Sequence, residues 1–206
     1  MTIDARAVDA AAERLASVAT RTPLQLNERL SAATGAYVWL KREDLQPIRS
    51  YKIRGAYNLI SQLDEAQRAA GVICASAGNH GQGVAFACAH LGIRGRIFVP
   101  ATTPRQKRER ILALGEGRVD ISVTGDTYDE AAAAAKLEAL ALGATVVPAF
   151  DDERTIAGQG TVAKEIVEQF GRAPDVLLAP VGGLFLLGIL WARPTTSPQP
   201  DDTLPA

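Results

Sequence analysis

The chain of 206 residues has few cysteines, few aromatic residues and no excess of charge. Its two cysteines, Cys74 and Cys88, are too few for a secreted disulfide scaffold, and their apolar neighbours predict two small buried side chains. With 22 basic and 23 acidic residues, the formal net charge of −1 argues against a nucleic-acid-binding protein. The basic cluster at 105–110 favours a solvated helix face over an anion-binding patch.

The sequence also lacks a long apolar run. No segment reaches the ~18 consecutive apolar residues of a transmembrane helix. Asp4, Asp9 and Glu13 interrupt the N-terminal region, which is unlike a signal peptide. We therefore expect a cytoplasmic protein with no membrane partner. The hydrophobic fraction of 47% is sufficient to build a globular core.

Short apolar segments alternate with longer helical patterns along the chain. The apolar segments have the length and the β-branched composition of strands, and they lack the alternation of a half-exposed sheet. They lie at 37–40, 71–74, 96–99, 120–123, 144–147 and 175–178. Repeated strand–helix–strand units of this kind predict an α/β fold with a parallel sheet.

Several helix ends are marked by local sequence. Thr103 before Pro104 and Thr127 before Tyr128 each fit the start of a capping box. Gly143 follows the alanine-rich stretch 131–142 and predicts its end. Beyond an apolar stretch at 184–191, typical of a helix start, the proline-rich segment 193–206 predicts a disordered tail.

Three segments carry candidate chemistry, and the first contains Lys52. Ser50 is a suitable N-cap for a helix from about Tyr51 to Leu63, which places Lys52 in the first turn. The positive end of the helix dipole and any burial both disfavour an ammonium there. A lysine kept partly neutral is a nucleophilic amine, although most lysines at helix starts are solvated surface residues.

The second and third segments are glycine-rich turns after predicted strands. Ser-Ala-Gly-Asn-His-Gly-Gln-Gly at 76–83 opens a helix whose free N–H groups suit a carboxylate or a phosphate. Pro-Val-Gly-Gly at 180–183 stands where phosphate groups bind in open α/β sheets. Taken alone, either is as consistent with a tight packing turn. His80 has no second ligand at metal spacing, so no metal site is predicted.

Together the three segments resemble the threonine dehydratase (threonine ammonia-lyase) branch of the fold-type II enzymes that use pyridoxal 5′-phosphate (PLP). The resemblance rests on Ser-x-Lys-x-Arg-Gly-Ala at 50–56, the segment 76–83 and Val-Gly-Gly at 181–183, in that order. Leu40 to Ala56 and Thr-Ile-Ala-Gly-Gln-Gly-Thr at 155–161 are also similar to the family pattern. The similarity extends over about residues 10–183.

The resemblance implies roles for individual residues. Lys52 would be the catalytic lysine that carries PLP, Tyr51 would lie beside the ring, and Asn79 would bond the ring 3′ oxygen. Gly182 and Gly183 would belong to the phosphate loop. The substrate carboxylate would be received by Ser76, Ala77, Gly78, Asn79 and His80. The implied reaction is α,β-elimination of threonine to 2-oxobutanoate and ammonia, in isoleucine biosynthesis or in threonine catabolism.

The resemblance also implies a tryptophan-synthase-β-like fold with two domains. A small α/β domain at 44–145 would be inserted into a large PLP-binding domain built from 1–43 and 146–192, whose halves would pair into one parallel sheet. Family members are usually homo-oligomers.

The sequence departs from the family pattern at 182–185, where Gly-Gly-Leu-Phe replaces a run of four glycines, and the family continues well beyond this point. We therefore expect an incomplete large domain and a truncated chain with little or no dehydratase activity.

Two alternatives to a threonine dehydratase stay open. A serine dehydratase or serine racemase has similar motifs at the lysine and at the asparagine loop, so the substrate is threonine or serine. Cysteine synthase is less consistent with the sequence, because that family has threonine where this chain has His80. The alternative from another class is a non-catalytic remnant that folds only in part or with a partner.

Overall fold

The computed structural model of the protein describes residues 4–179. The helices are α1 (Ala5–Leu15), α2 (Glu28–Thr34), α3 (Lys52–Ile60), α4 (Glu65–Ala70), α5 (Asn79–Leu91), α6 (Arg105–Gly115), α7 (Tyr128–Leu142) and α8 (Glu153–Phe170), with a 3-10 turn at Glu43–Leu45. The strands are β1 (Leu24–Leu26), β2 (Trp39–Lys41), β3 (Val72–Ala75), β4 (Gly95–Val99), β5 (Val119–Val123) and β6 (Thr145–Val146). The predictions for Gly182, Gly183, 184–191 and 193–206 lie outside the described residues.

A parallel four-stranded sheet with the order β5-β4-β3-β6 forms the centre of the structure. Each connection between neighbouring strands runs through a helix, as the alternation in the sequence predicts. This sheet and its helices confirm the α/β fold class. Across residues 4–179, none of the helices combines the length and the apolar character that crossing a bilayer requires.

Helices cover both faces of this sheet. One face packs against α5 and α6 through a large apolar cluster that includes Val84, Ile97 and Ile111, all without exposed surface. The other face receives α7, whose alanines at 131, 135 and 139 recur every four residues and meet Ile73 and Phe98. Because alanine side chains are short, α7 can lie close to the strands. Cys74 and Cys88 lie in the larger cluster, as predicted.

Helix α3 crosses α8 at very short range because each helix presents a glycine to the other. A Cβ on Gly158 would stand 2.6 Å from the carbonyl oxygen of Arg54, and one on Gly55 would stand 2.8 Å from that of Thr155. Both distances are shorter than side chains tolerate, so the two backbones touch only because neither position carries a side chain. This crossing fixes α3 against α8.

Most of the predicted helix ends are close to the observed ones, with two corrections. The Thr127 capping box forms and Gly143 ends α7 in the left-handed conformation, as predicted. The Thr103 box does not form, because Pro104 is still extended and α6 begins at Arg105. Helix α3 begins at Lys52 and ends at Ile60, so its N-cap is Tyr51 and not Ser50. Ser50 lies one residue before the N-cap, and its Oγ accepts the Lys52 N–H at 3.3 Å.

The predicted pairing of the N- and C-terminal flanks into one parallel sheet is not formed among residues 4–179. Strand β2 pairs with β1, which the sequence did not predict, in a separate antiparallel sheet. Residues 175–178 form no strand, and Val176 and Leu178 are 74% and 90% exposed. A strand needs a neighbour for its ladder of hydrogen bonds, and no described strand lies beside this segment. The domain boundaries at 43/44 and 145/146 stay a prediction.

The α3–α8 crossing predicts the effect of adding one methyl group. Gly158→Ala should lower the free energy of unfolding by about 1–3 kcal/mol, because the new Cβ would meet backbone atoms that cannot move away. Gly160→Ala is the matched control on the same helix, since its Cβ would meet only the Val8 side chain, at 3.0 Å. Urea unfolding of both variants measures the difference. Equal stability of the two would contradict the proposed close crossing.

Candidate functional site

The loop at the carboxyl end of β3 forms one wall of the candidate site. Ser76 Oγ accepts the N–H of Gly78 at 3.2 Å, which turns the chain directly into α5. Helix α5 starts at Asn79 without a side-chain cap, so its first N–H groups are left for other acceptors. The Cβ position of Gly78 faces open space, and Asn79 is exposed. A carboxylate or a phosphate fits such a helix start.

The segment Val147–Phe150, which follows β6, forms the opposite wall. Since β6 pairs with β3 in parallel, the two loops leave neighbouring strands at the same edge of the sheet. Ligands of open α/β sheets bind at this carboxyl edge. The sequence did not single out this segment, because its role depends on the pairing of β6.

Lys52 reaches from the start of α3 to this second wall. Its Nζ donates a hydrogen bond to the Ala149 carbonyl at 2.9 Å and lies 4.2 Å from the centre of the Phe150 ring and 5.3 Å from that of Tyr51. Lys52 is only 8% exposed, and this burial lowers the pKa of its amine to about 8. A substantial fraction of the amine is therefore neutral, and hence nucleophilic, near physiological pH.

Helix α5 holds the backbone of Lys52 at close range. A Cβ on Gly83 would stand 2.9 Å from the Lys52 carbonyl oxygen, so this glycine permits the two helices to touch. Gly83 lies about one helical turn after Asn79. The close contact therefore places Lys52 beside the helix whose open end forms the first wall.

His80 joins the two walls. Its ring is 4% exposed, and Nε2 donates to the Val147 carbonyl at 2.8 Å. Because Nε2 carries the proton, Nδ1 is the unprotonated nitrogen, and it is buried without a hydrogen-bond partner among the described residues. Burial, together with the nearby charge of Lys52, lowers the pKa of His80 to about 4. The imidazole is thus neutral at physiological pH.

A buried ion cluster surrounds Arg54, two residues beyond Lys52 on α3. The guanidinium of Arg54, 1% exposed, donates to both carboxylate oxygens of Glu43 at 2.9 Å and to those of Glu165 at 2.7 and 3.0 Å. Lys41 joins through a 2.6 Å contact with Glu165. Two cations and two anions therefore balance, and they tie α3 to β2, the 3-10 turn and α8.

Two residues near the site have backbone conformations that L side chains seldom adopt. Arg49 has a φ of 58°, three residues before Lys52, and Asp151 has a φ of 29°, directly after Phe150. Strained backbone of this kind is concentrated at binding and catalytic sites. Here both strained residues adjoin the segments that meet at the Lys52 amine.

The structure brings together part of the set predicted from the sequence. Lys52 and His80 bond to the segment Val147–Phe150, and the Tyr51 ring lies beside the Lys52 amine. The neighbouring wall is formed by Ser76, Ala77, Gly78 and Asn79. The roles of these residues as ligands stay predictions. The His80 ring is bonded to the protein backbone through Nε2, so only Nδ1 is left for a further bond. Ala149 and Phe150 were missed, because no local motif marks them.

The fold and the site together define a class of protein: an α/β protein with a buried lysine of lowered pKa beside an uncapped helix start that suits an anion. Residues 15–200 match the family described as pyridoxal-phosphate dependent enzyme. The chain belongs to this family of PLP-dependent enzymes.

Curated relatives identify the branch of the family that the chain is similar to. It is 59% identical over 176 residues to the L-threonine dehydratase biosynthetic IlvA of Mycobacterium tuberculosis, a match that covers 85% of this chain and 41% of the relative. It is 49% identical over 175 residues to the protein of the same name from Bacillus subtilis, with 85% and 42% covered. The chain thus spans about two fifths of the length of these relatives.

Solved structures confirm the fold-type II resemblance. The threonine deaminase of T.th. superposes with a TM-score of 0.83 and 33% identity, covering 92% of this chain and 60% of that one. Maize serine racemase gives a TM-score of 0.78 and 31% identity, covering 83% and 51%. Both substrates considered for this chain therefore occur in the names of its structural neighbours.

The buried His80 predicts a loss of stability in mild acid. In the unfolded chain histidine binds a proton below about pH 6.5, whereas the folded ring stays neutral down to about pH 4. The unfolded state therefore gains protons first, and stability falls as the pH decreases from 6.5 to 4, by up to about 3 kcal/mol from this group. In His80→Gln this part of the pH dependence should disappear.

Urea unfolding at several pH values between about 4 and 7 measures the effect as the slope of the unfolding free energy against pH. His90→Gln is the control, because His90 is the second of the two histidines and is exposed. It should keep the wild-type slope. An unchanged slope in His80→Gln would show that the ring is not held neutral by burial.

Proposed function

We propose that Lys52 is the lysine that carries PLP in this chain, and that it acts in the α,β-elimination of threonine. The observation that carries the proposal is the buried Lys52 amine at the carboxyl edge of the sheet. This amine is bonded to a backbone carbonyl and not to a carboxylate. An amine without an acidic partner keeps a low pKa and stays available as a nucleophile.

The described residues fit PLP in three respects. The Lys52 amine suits the aldehyde of the cofactor, since it is partly neutral and lies at the surface of the site. The open space at Gly78 and the uncapped start of α5 suit an anionic or polar ligand beside it. The Asn79 side chain has no hydrogen-bond partner within residues 4–179 and is exposed next to this space, as its proposed bond to the ring oxygen requires.

The chain's own residues have definable parts in the reaction. When bound, PLP supplies an electron sink for the charge that develops at the α-carbon of an amino acid. Nζ of Lys52 accepts the α-proton and later releases it, which a pKa of about 8 permits near neutral pH. The Ala149 carbonyl orients the amine during these steps, and the start of α5 binds the substrate carboxylate.

Titration with PLP tests the assignment of Lys52. Wild-type chain should shift the visible absorption of PLP, and reduction with borohydride should fix the cofactor on Lys52, as located by peptide mass mapping. Lys52→Ala should lose both signals, because the other lysine whose pKa burial lowers, Lys41, has its amine bonded to Glu165 at 2.6 Å. The readout is binding, so it is independent of turnover.

Lys136→Ala is the matched control, since Lys136 is exposed on α7 and lies on the other side of the sheet from α5. This variant should bind PLP like the wild type. If the reduced cofactor maps to another lysine, or if Lys52→Ala keeps the absorption change, the proposed role of Lys52 is wrong.

Threonine is the proposed substrate, on the strength of the 59% identical relative and the 33% identical deaminase structure. We expect threonine to change the absorption of the PLP-loaded chain at a lower concentration than serine does. Any turnover is followed as 2-oxobutanoate from threonine and pyruvate from serine. A preference for serine would favour the serine dehydratase or racemase interpretation. Homo-oligomer formation and a cytoplasmic location stay predictions.

A further inference from the structure

The Phe150 ring lies closer to the Lys52 amine than the Tyr51 ring does. The ring centre is 4.2 Å from Nζ, and the next residue towards the N-terminus, Ala149, supplies the carbonyl that accepts the amine's hydrogen bond at 2.9 Å. Phe150 is partly buried, and the strained residue Asp151 follows it. Two consecutive residues thus hold the amine, one through its backbone and one through its ring.

We propose that Phe150 is a positioning residue whose ring keeps water away from Nζ and confines the amine against the Ala149 carbonyl. This inference rests on the proposed function of Lys52 and assigns a residue that acts through it. The ring does not need to touch the substrate for this role. Its effect is on the protonation and the orientation of the nucleophile.

Two opposing effects of an aromatic ring must be compared. A ring face attracts an ammonium, by about 0.5–2 kcal/mol, which would raise the pKa of the amine. The same ring displaces water, and the loss of hydration of a buried ammonium costs more, which lowers the pKa. At Lys52 the net shift is downwards, from 10.5 to about 8, with burial as its cause. Because Lys52 is only 8% exposed, we expect exclusion of water to be the stronger effect of the ring here.

The other groups that face the amine do not account for the shift. From α5 the amine faces the imidazole of His80, which burial keeps neutral. Tyr51, the residue before Lys52, faces it with a phenol whose pKa burial raises. Helix α8 contributes the uncharged amide of Gln159, 3.5 Å from the same Ala149 carbonyl. None of these groups carries a charge at neutral pH. Phe150 is the neighbour whose size can be changed without altering a hydrogen bond.

Substitutions at one position can separate the two effects of the ring. Phe150→Ala and Phe150→Gln remove the ring and admit water or a polar group beside Nζ. Phe150→Leu removes the aromatic face but keeps an apolar side chain of considerable volume. Phe170→Ala is the matched control, because Phe170 also lies beside a cation, with Arg172 Cζ 5.1 Å from its ring centre, but contacts Trp39 on a different sheet.

The measurement is the pH dependence of Lys52 acylation by acetic anhydride in the chain without PLP, with the modified peptide quantified by mass spectrometry. Only the neutral amine reacts, so the midpoint of the rate against pH gives its apparent pKa, while the plateau rate reports access of the reagent. The wild type should show a midpoint near pH 8. Circular dichroism checks that each variant is folded.

Phe150→Ala and Phe150→Gln should move the midpoint upwards by about one pH unit or more, because water then stabilises the ammonium. Phe150→Leu should stay within a few tenths of a unit of the wild type, and Phe170→Ala should not shift it. If Phe150→Ala does not fold, Phe150→Gln, which fills more of the space, carries the same expectation.

Two results would overturn the inference. A midpoint that falls in both Phe150→Ala and Phe150→Leu would show that the ring acts chiefly as a cation–π partner. A midpoint that is unchanged in all Phe150 variants would show that the ring does not control the amine. Neither result depends on PLP binding, so failure of this inference is distinct from failure of the proposed function. If the Phe150 variants show the expected shift in midpoint but the chain does not bind PLP, only the proposed function of Lys52 is contradicted.

Discussion

Arg54 is almost fully buried, and its guanidinium can stay charged there only because two carboxylates meet it in forked pairs. Breaking such a buried pair by removing one partner typically costs about 3–5 kcal/mol. Glu43 comes from the 3-10 turn after β2 and Glu165 from α8, so the charges fix two separate parts of the chain to α3. Lys52 stands two residues before Arg54. The position of the candidate nucleophile therefore depends on an ion cluster that takes no part in its chemistry.

The backbone and the amine of Lys52 are held in different ways. Its helix, α3, is packed between α5 and α8 at distances that only glycine permits, and the ion cluster reinforces this packing. Its amine meets the loop after β6 through one carbonyl and one ring. Core packing and buried ion pairs resist local opening, whereas a short loop with strained backbone opens at lower cost. The structure thus combines a rigid base for the lysine with an adjustable contact for its reactive end.

Local sequence patterns were sufficient to predict the parts of the site that are continuous in the chain. Lys52 at a helix start, the glycine-rich turn at 76–83 and the alternation of strands and helices all depend on neighbours within a few residues. The segment Val147–Phe150 and the Glu165 contact of Arg54 could not be predicted in this way, since they bring together residues about 100 positions apart. The strand predicted at 175–178 had the right local composition, but a strand also requires a partner.

The distribution of acidic residues gives the two buried lysines, Lys41 and Lys52, different surroundings. Lys41 is also buried, but Glu165 lies 2.6 Å from its amine and offsets part of the effect of burial on its pKa. Glu165 and Glu43 are bound by Arg54 and Lys41, and for Lys52 burial alone sets the direction of the pKa shift. A backbone carbonyl is a suitable acceptor in that setting, because it accepts a hydrogen bond from either an ammonium or a neutral amine. It can therefore orient Nζ without selecting a protonation state, as the proposed proton transfers at Lys52 require.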